Sequence, residues 1–373
     1  MIYLDAAATT FPSLDYHGQM WLNANTPYAI PAKEQLHRAE EQVKKALGLK
    51  SGKVVFGGNA STMFKYLFDK IGDAWAETMD EDDDDKIKWY GVVKSPYEHE
   101  CINNEAGGFI ATIGELQNKE IVKDRAWFHT PIVCCQAVNN ITGDIFPIEE
   151  IGKVARELNG FYVCDMTSAI GKFDIPENLE DFCDCIVFSA HKIHGLKGQG
   201  AIWVSDRFNE WLNGIEYIGT PDVDGACNTA YALNVTLDRY KHRYPNEWDN
   251  SIRNALFNRG VRFETMSLEG CEGYSDDIIC LRISGVYADA LQNFLASKKI
   301  FIGVGHSSCE DGENRYRVLV NGGYPEKVAR QCIRLSFDGW IISTTDKEIE
   351  ELADAIKEYI DTYGLEEEED EGN

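Results

Sequence analysis

The sequence predicts an α/β fold: a large domain with a mostly parallel, seven-stranded-type sheet flanked by helices, plus a smaller α+β domain. Three observations carry that expectation. Apolar strand-like runs alternate with amphipathic helical runs through the first half of the chain, which indicates a mostly parallel sheet covered on both faces. From about Asp238 the regular alternation stops. At 373 residues the chain is long for one layered core and short for three.

The elements follow in order. Leu36, Ala39, Val43, Ala46 and Leu47 recur at helical spacing, and Gly48 follows as a stop signal. Val54-Val55-Phe56 reads as a short strand running into Gly57-Gly58-Asn59-Ala60-Ser61, then into a helix carrying Met63, Leu67 and Ile71. Strands follow over 91–93 and 132–137, then a helix with Ile148, Ile151, Ala155 and Leu158. Strands over 161–164, 185–188 and 201–204 close the series. The second part mixes a strand over 278–283 with helices. It ends in an amphipathic helix with Ile349, Leu352, Ala353, Ile356 and Ile360, opened by the capping box Thr345-x-x-Glu348. The implied boundaries are 13–238 for the large domain, 1–12 with 239–373 for the small one, and an acidic tail over 366–373.

Charge excludes some partners. The chain has 36 Lys+Arg against 62 Asp+Glu, a net charge of −26, and so repels nucleic-acid phosphate and anionic lipid. Direct nucleic-acid binding and membrane association are not expected. The N-terminus lacks the basic region of a signal peptide, and no apolar run reaches the roughly 20 residues a membrane span needs. The 11 cysteines are odd in number and contain no C-x-x-C, so no metal site is expected. Cys134-Cys135 and Cys183-x-Cys185 read as buried strand thiols, and a reducing cytoplasm fits this usage.

The chemistry centres on Ser189-Ala190-His191-Lys192-Ile193-His194-Gly195, directly after a predicted strand. A lysine in a partly desolvated pocket loses stability as an ammonium ion and offers a neutral amine for Schiff-base chemistry. Asp165, at the end of another strand, can hold a pyridinium nitrogen protonated. The glycine turn before Ala60 opens a helix whose free N–H groups and dipole suit a phosphate. All three fall at the carboxyl ends of strands, where open α/β sheets bind ligands. Pyridoxal phosphate needs these three parts.

The motifs resemble the pyridoxal-phosphate-dependent cysteine desulfurases of the class V aminotransferase superfamily, a fold type I group. The resemblance begins with Ile2-Tyr3-Leu4-Asp5-Ala6-Ala7-Ala8-Thr9-Thr10 and continues through Glu98-His99, Val138-Asn139-Asn140, Asp165 and Gly171-Lys172. Ser189-Ala190-His191-Lys192, Ser308-Cys309 and Ile333-Arg334-Leu335-Ser336 complete it.

The resemblance implies a role for each matching position. Lys192 would carry the cofactor and shuttle a proton at Cα. His99 would stack on the pyridine ring, Asp165 would pair with its nitrogen, and Asn140 would bond its hydroxyl and line the substrate site. Ala60 (through its backbone), Ser61, Ser189 and His191 would hold the phosphate. Thr220 would reach the partner subunit's phosphate in a homodimer, and Arg334 would clamp the substrate carboxylate. Together Lys192, His191, His99 and Arg334 would make the pocket locally positive.

Cys309 lies in the polar stretch Gly305-His306-Ser307-Ser308-Cys309-Glu310-Asp311-Gly312, which reads as a mobile loop able to carry a nucleophilic thiol. The other ten cysteines read as buried. The implied activity converts L-cysteine to L-alanine, leaves a persulfide on Cys309 and passes the sulfur to an acceptor protein. The relatives in question serve iron–sulfur cluster assembly, tRNA thiolation or DNA phosphorothioation.

Three departures stand out. Ser168 occupies the position of a glutamine that bonds the ring hydroxyl, the run before Gly219-Thr220 is shortened, and the acidic run 80–85 is an insertion. Competing readings are a selenocysteine lyase, a cysteine-sulfinate lyase or an aminotransferase, in which Cys309 is dispensable, and a degenerate scaffold without catalysis.

The acidic runs 80–85 and 366–371 hold six acids each and read as solvated surface, suited to selecting a basic acceptor. Deleting both is expected to leave alanine production from cysteine intact, and any lost sulfur transfer to be salt-sensitive. Loss of alanine production itself would place these acids in the folded core.

Overall fold

Strands occupy the apolar runs in the computed structural model, which describes residues 2–10, 23–25, 29–77, 91–126, 130–242, 248–306, 315–337 and 345–364. Cys309 and both acidic runs lie outside the described residues. The chain divides into two units. The larger comprises Thr10–Val138 and Ile145–Arg243; the smaller comprises Met1–Thr9, Asn139–Asp144 and Tyr244–Asn373.

The larger unit is built on a seven-stranded sheet. Its order is Lys53–Gly57, Gly200–Val204, Cys185–Ser189, Phe161–Asp165, Ile132–Cys134, Val92–Lys94 and Phe109–Ile110. Gly200–Val204 runs against both neighbours, and every other pairing is parallel. Strands Phe161–Asp165, Cys185–Ser189 and Gly200–Val204 are buried throughout, as expected of strands covered on both faces. Helix Ala60–Glu77 lays Phe64, Leu67, Phe68 and Ile71 against Val55, Val187 and Ile202. Each such fully buried side chain contributes about 2 kcal/mol relative to exposure.

The strand expected over 132–137 ends at Cys134. Beyond it, the Gln136 amide leaves the ladder and donates to Glu98 Oε1 at 3.0 Å, a buried carboxylate that also accepts from the Ser95 hydroxyl. A side-chain acceptor therefore replaces the next backbone partner.

The smaller unit has a five-stranded sheet in the order Ile2–Leu4, Ile300–Val304, Cys332–Ser336, Ile278–Ile283 and Phe263–Thr265. The first pair is parallel and the others antiparallel. Ile349, Leu352 and Ile356 of helix Asp346–Tyr363 join Leu281, Ile333 and Leu335 in its core. Thr345 and Glu348 form the capping box.

The larger unit runs from Thr10 to Arg243 rather than over 13–238, and one internal segment departs further from the sequence expectation. The segment Asn139–Asp144, inside the continuous stretch 13–238, belongs to the smaller unit. Asp144 fixes it there: its two oxygens accept from Ser267 Oγ and the Leu268 amide, both at 2.7 Å. Gly143 adds a steric reason, since it sits at φ +80° and a Cβ there would lie 2.3 Å from the Ile278 carbonyl oxygen.

Asp184 is the main polar tie of the larger unit. It is fully buried and accepts from Arg207 Nε at 2.7 Å and Nη2 at 2.8 Å. It also accepts from Ser205 Oγ, the Tyr162 amide and Arg156 Nη2. Asp184→Ala strips two arginines of their shared anion and is expected to cost about 3 kcal/mol, measured as a lower midpoint in urea unfolding. A change within experimental error would show that this network is dispensable.

Candidate active site

Register assembles the cofactor half of the site. Asp165 pairs with Val187, and Ser189 pairs with Gly200, which in turn faces Gly57. The residues after Asp165, Ser189 and Gly57 therefore emerge at one edge of the sheet. Gly200 permits the close approach there: a Cβ would lie 2.6 Å from the Phe188 carbonyl oxygen and 2.8 Å from that of Gly58.

Lys192 ends a one-turn 3-10 helix, Ala190–Lys192, immediately after the strand. The turn is tightly held. The Ala190 carbonyl accepts from the amides of Ile193 and Gly195, while His194 adopts the left-handed region at φ +65°. Thr10 brackets the turn, donating its amide and hydroxyl to the His191 carbonyl and accepting from the His194 amide at 2.7 Å. Asn228 Oδ1 accepts from Leu196, and the Thr236 hydroxyl donates to the Ile193 carbonyl. Lys192 is half-buried, and its Nζ donates to Ser168 Oγ at 3.5 Å. Ser168 thus meets the lysine directly.

Asp165 is buried, and its Oδ1 accepts from the Thr167 amide at 2.8 Å. Burial pushes its carboxyl up from the ordinary range, and the Thr167 hydrogen bonds and the Lys192 charge oppose that push. A buried carboxylate in that position gains most from a cation brought against it.

On the glycine turn, Asn59 Oδ1 accepts from the Thr62 amide and caps helix Ala60–Glu77. The Ala60 amide donates to Ser189 Oγ at 2.8 Å, so two expected phosphate ligands touch each other. Ser61 is exposed at the helix start.

His191 is half-buried. Desolvation, with Lys192 and Lys197 nearby, lowers its imidazole from 6.5 to about 4. It is therefore neutral at pH 7, a correction to the expected positive pocket.

His99 caps helix Glu100–Glu105, its Nδ1 accepting from the Cys101 amide at 3.3 Å. Thr220 is exposed; its Oγ1 accepts from Asn23 Nδ2 at 3.5 Å, and Asn25 Nδ2 donates to the neighbouring Gly219 carbonyl.

Asn140 and Arg334 belong to the smaller unit. Arg334 is buried; its Nη1 donates to the Asn140 carbonyl at 3.0 Å and its Nη2 to Asp5 Oδ1 at 2.7 Å. Arg334 Nε has no hydrogen-bond partner among the described residues. Asp5, present in the opening motif without a role, already balances the expected carboxylate clamp. Seven of the ten described cysteines are buried, but Cys101, Cys227 and Cys271 are half-buried, contrary to the expectation for all ten.

The chain matches the family model for aminotransferase class-V over residues 109–352 and belongs to that family. It is 24% identical to the cysteine desulfurase IscS of Clostridium botulinum (strain Kyoto / Type A2), covering 96% of this chain and 94% of that protein. A probable mitochondrial cysteine desulfurase of Dictyostelium discoideum is 25% identical over 89% of this chain and 75% of its own length. Among solved structures, a NifS-like protein aligns with TM-score 0.77 at 20% identity, over 96% of this chain and 99% of that one. A NifS-like protein from Rickettsia africae ESF-5 gives TM-score 0.77 at 19% identity, over 97% and 100%. SspA in complex with cysteine gives 0.67 at 20%, over 92% and 100%.

Members of this family use pyridoxal phosphate, and the residues present fit it. Asp165 would supply the buried anion for a ring nitrogen, Lys192 the amine, and the capped helix start at Ala60 the N–H dipole for phosphate.

Burial of His191 gives the site a pH signature. The unfolded chain takes up this proton near pH 6.5 and the folded one only near 4, so the folded state loses stability as pH falls through that interval. His191→Asn is expected to flatten that part of the urea-midpoint profile between pH 7 and pH 4. An unchanged profile would mean that His191 titrates alike in both states.

Proposed function

We propose that this protein is a pyridoxal-phosphate-dependent cysteine desulfurase, converting L-cysteine to L-alanine and charging Cys309 as a persulfide. The observation that carries this reading is the meeting of Lys192, Ser168, Asp165, Ala60 and Ser189 at one sheet edge. Desulfurases similar over nearly the whole chain support it.

When bound, the cofactor supplies an electron sink that labilises bonds at the substrate's Cα and Cβ. Lys192 would hold and move the proton at Cα. Asp165 keeps the ring nitrogen protonated. Phosphate would be held by the Ala60 amide, Ser61, Ser189 and His191. His99 would stack on the ring, and Arg334 and Asn140 would receive a carboxylate.

The sulfur step balances without an added redox partner. The Cys309 thiolate takes the substrate sulfur, an S–S bond forms as the C–S bond breaks, and the electron pair left on carbon is protonated to give alanine. The persulfide then passes its outer sulfur to an acceptor protein, with iron–sulfur cluster assembly the pathway that the IscS relatives favour. We assign Thr220 to the partner subunit's phosphate in a homodimer, in keeping with its exposed hydroxyl. The ten described cysteines are free thiols, which suits a reducing compartment such as the cytoplasm.

Purified protein given L-cysteine should produce alanine and, with a reductant, sulfide. Lys192→Ala is expected to lower alanine production by about a hundredfold or more, and Cys309→Ala to abolish persulfide. Undiminished alanine production by Cys309→Ala would sink the persulfide mechanism and favour a lyase or aminotransferase. A monomeric mass in solution would remove the role given to Thr220.

A further inference from the structure

A second cysteine, away from the expected persulfide carrier, lies among the residues of the cofactor site. Cys101 Sγ is 3.1 Å from His99 Nδ1, and the Cys101 backbone amide reaches the same nitrogen at 3.3 Å. The amide has a hydrogen and no lone pair to offer, so it can only donate. His99 Nδ1 is therefore an acceptor and carries no proton, and the thiol beside it must also present its hydrogen. Nδ1 thus receives two donors from one residue, which leaves the ring proton on Nε2.

The surroundings keep the thiol in the donating form. Burial, with the Asp165 and Glu98 charges nearby, pushes Cys101 up to about 12. The Ser61 hydroxyl, at the start of the helix expected to hold phosphate, opposes that push. Helix Ala60–Glu77 and helix Glu100–Glu105 pack together around this point, with Cys101 against the larger unit's core.

We propose that Cys101 is a positioning residue that fixes His99 as its Nε2–H tautomer and holds the ring plane in place. The kinetic consequence rests on the desulfurase reading above; the tautomer does not. With Nδ1 committed to Cys101, His99 can stack in one orientation and offer a proton only from Nε2. A thiol suits this task because it is a weak donor with little desolvation cost beside an apolar core. It is also held at a pKa where it does not compete with the persulfide-forming thiol.

The test uses full-length, 15N-histidine-labelled holo protein, with the His99 signals assigned by their absence in His99→Gln. Long-range proton–nitrogen spectra at pH 7 are expected to show His99 protonated at Nε2 and bare at Nδ1. The 3.3 Å amide contact survives in Cys101→Ala but is long, and without the thiol's closer approach at 3.1 Å the ring should shift part of the way toward a mixture of tautomers, whereas Cys101→Ser, which keeps a side-chain donor, should restore the wild-type pattern. Cys101→Ala should also lower kcat for alanine production about tenfold, with KM for cysteine nearly unchanged and serine rescuing the loss. A proton on Nδ1 in the wild type, or identical spectra in Cys101→Ala, would overturn the proposal. A shifted tautomer with unchanged kcat would overturn its catalytic half. If wild-type protein shows the expected tautomer but makes no alanine, the desulfurase reading fails and the tautomer assignment stands.

Discussion

The site depends on a register. With Asp165 opposite Val187 in parallel strands, the segments that follow both strands leave the sheet on the same side. The antiparallel strand Gly200–Val204 then brings Gly57 into line with Ser189 through Gly200. That is how the start of helix Ala60–Glu77 comes within hydrogen-bond distance of Ser189, 129 residues later in the chain. A slip of one residue in any pairing would turn alternate side chains to the other face and scatter the set. The buried Asp184 network and the fully covered strands make such a slip costly.

Anion recognition in such a site has two sources, fixed charges and oriented N–H dipoles. For a chain of net charge −26, fixed positive charge would be the obvious device. The structure favours the other. His191 is neutral at pH 7 because burial beside two lysines makes its cation costly. The Arg334 guanidinium is already balanced by Asp5. What remains for phosphate is a capped helix start, two serine hydroxyls and a neutral imidazole, all of which bind through hydrogen bonds. Such groups need no counter-ion when the site is empty, and buried cations would.

The parts legible in the sequence are those decided locally. Apolar runs gave the strands because burial on both faces leaves no alternation to obscure them. Thr345 and Glu348 are three residues apart and cap one helix, so their pattern is complete within it. Lys192, Asp165 and the Gly57-Gly58 turn were visible because each sits at a strand end. The illegible parts join distant positions. Thr10 meets His191 across 181 residues, and Asp5 meets Arg334 across 329. Asn139–Asp144 changes unit because of Gly143, Ser267 and Leu268, none of which marks itself in the sequence. The roles of Asn140, Thr220 and Arg334 came from resemblance alone. The only signal for Cys101 was its place two residues after His99, and spacing of that kind does not reveal a shared hydrogen bond.

The thiols themselves bear on where sulfur chemistry can occur. A thiolate is the nucleophile, and burial without a cation nearby suppresses it. Cys101 is pushed up to about 12 by desolvation and carboxylates. Cys134, Cys135, Cys183 and Cys185 are raised by burial within the sheet. Cys280 is raised chiefly by its hydrogen bond with Cys332, with burial adding to it. A thiol held protonated this firmly can donate a hydrogen bond or fill a core, but it attacks a substrate sulfur slowly. Cys309, by contrast, stands in a run of glycine, serine, histidine and acids in the sequence. The packing that builds the sheets thus also narrows which thiols can act as nucleophiles, since it holds Cys101, Cys134, Cys135, Cys183, Cys185 and Cys280 protonated.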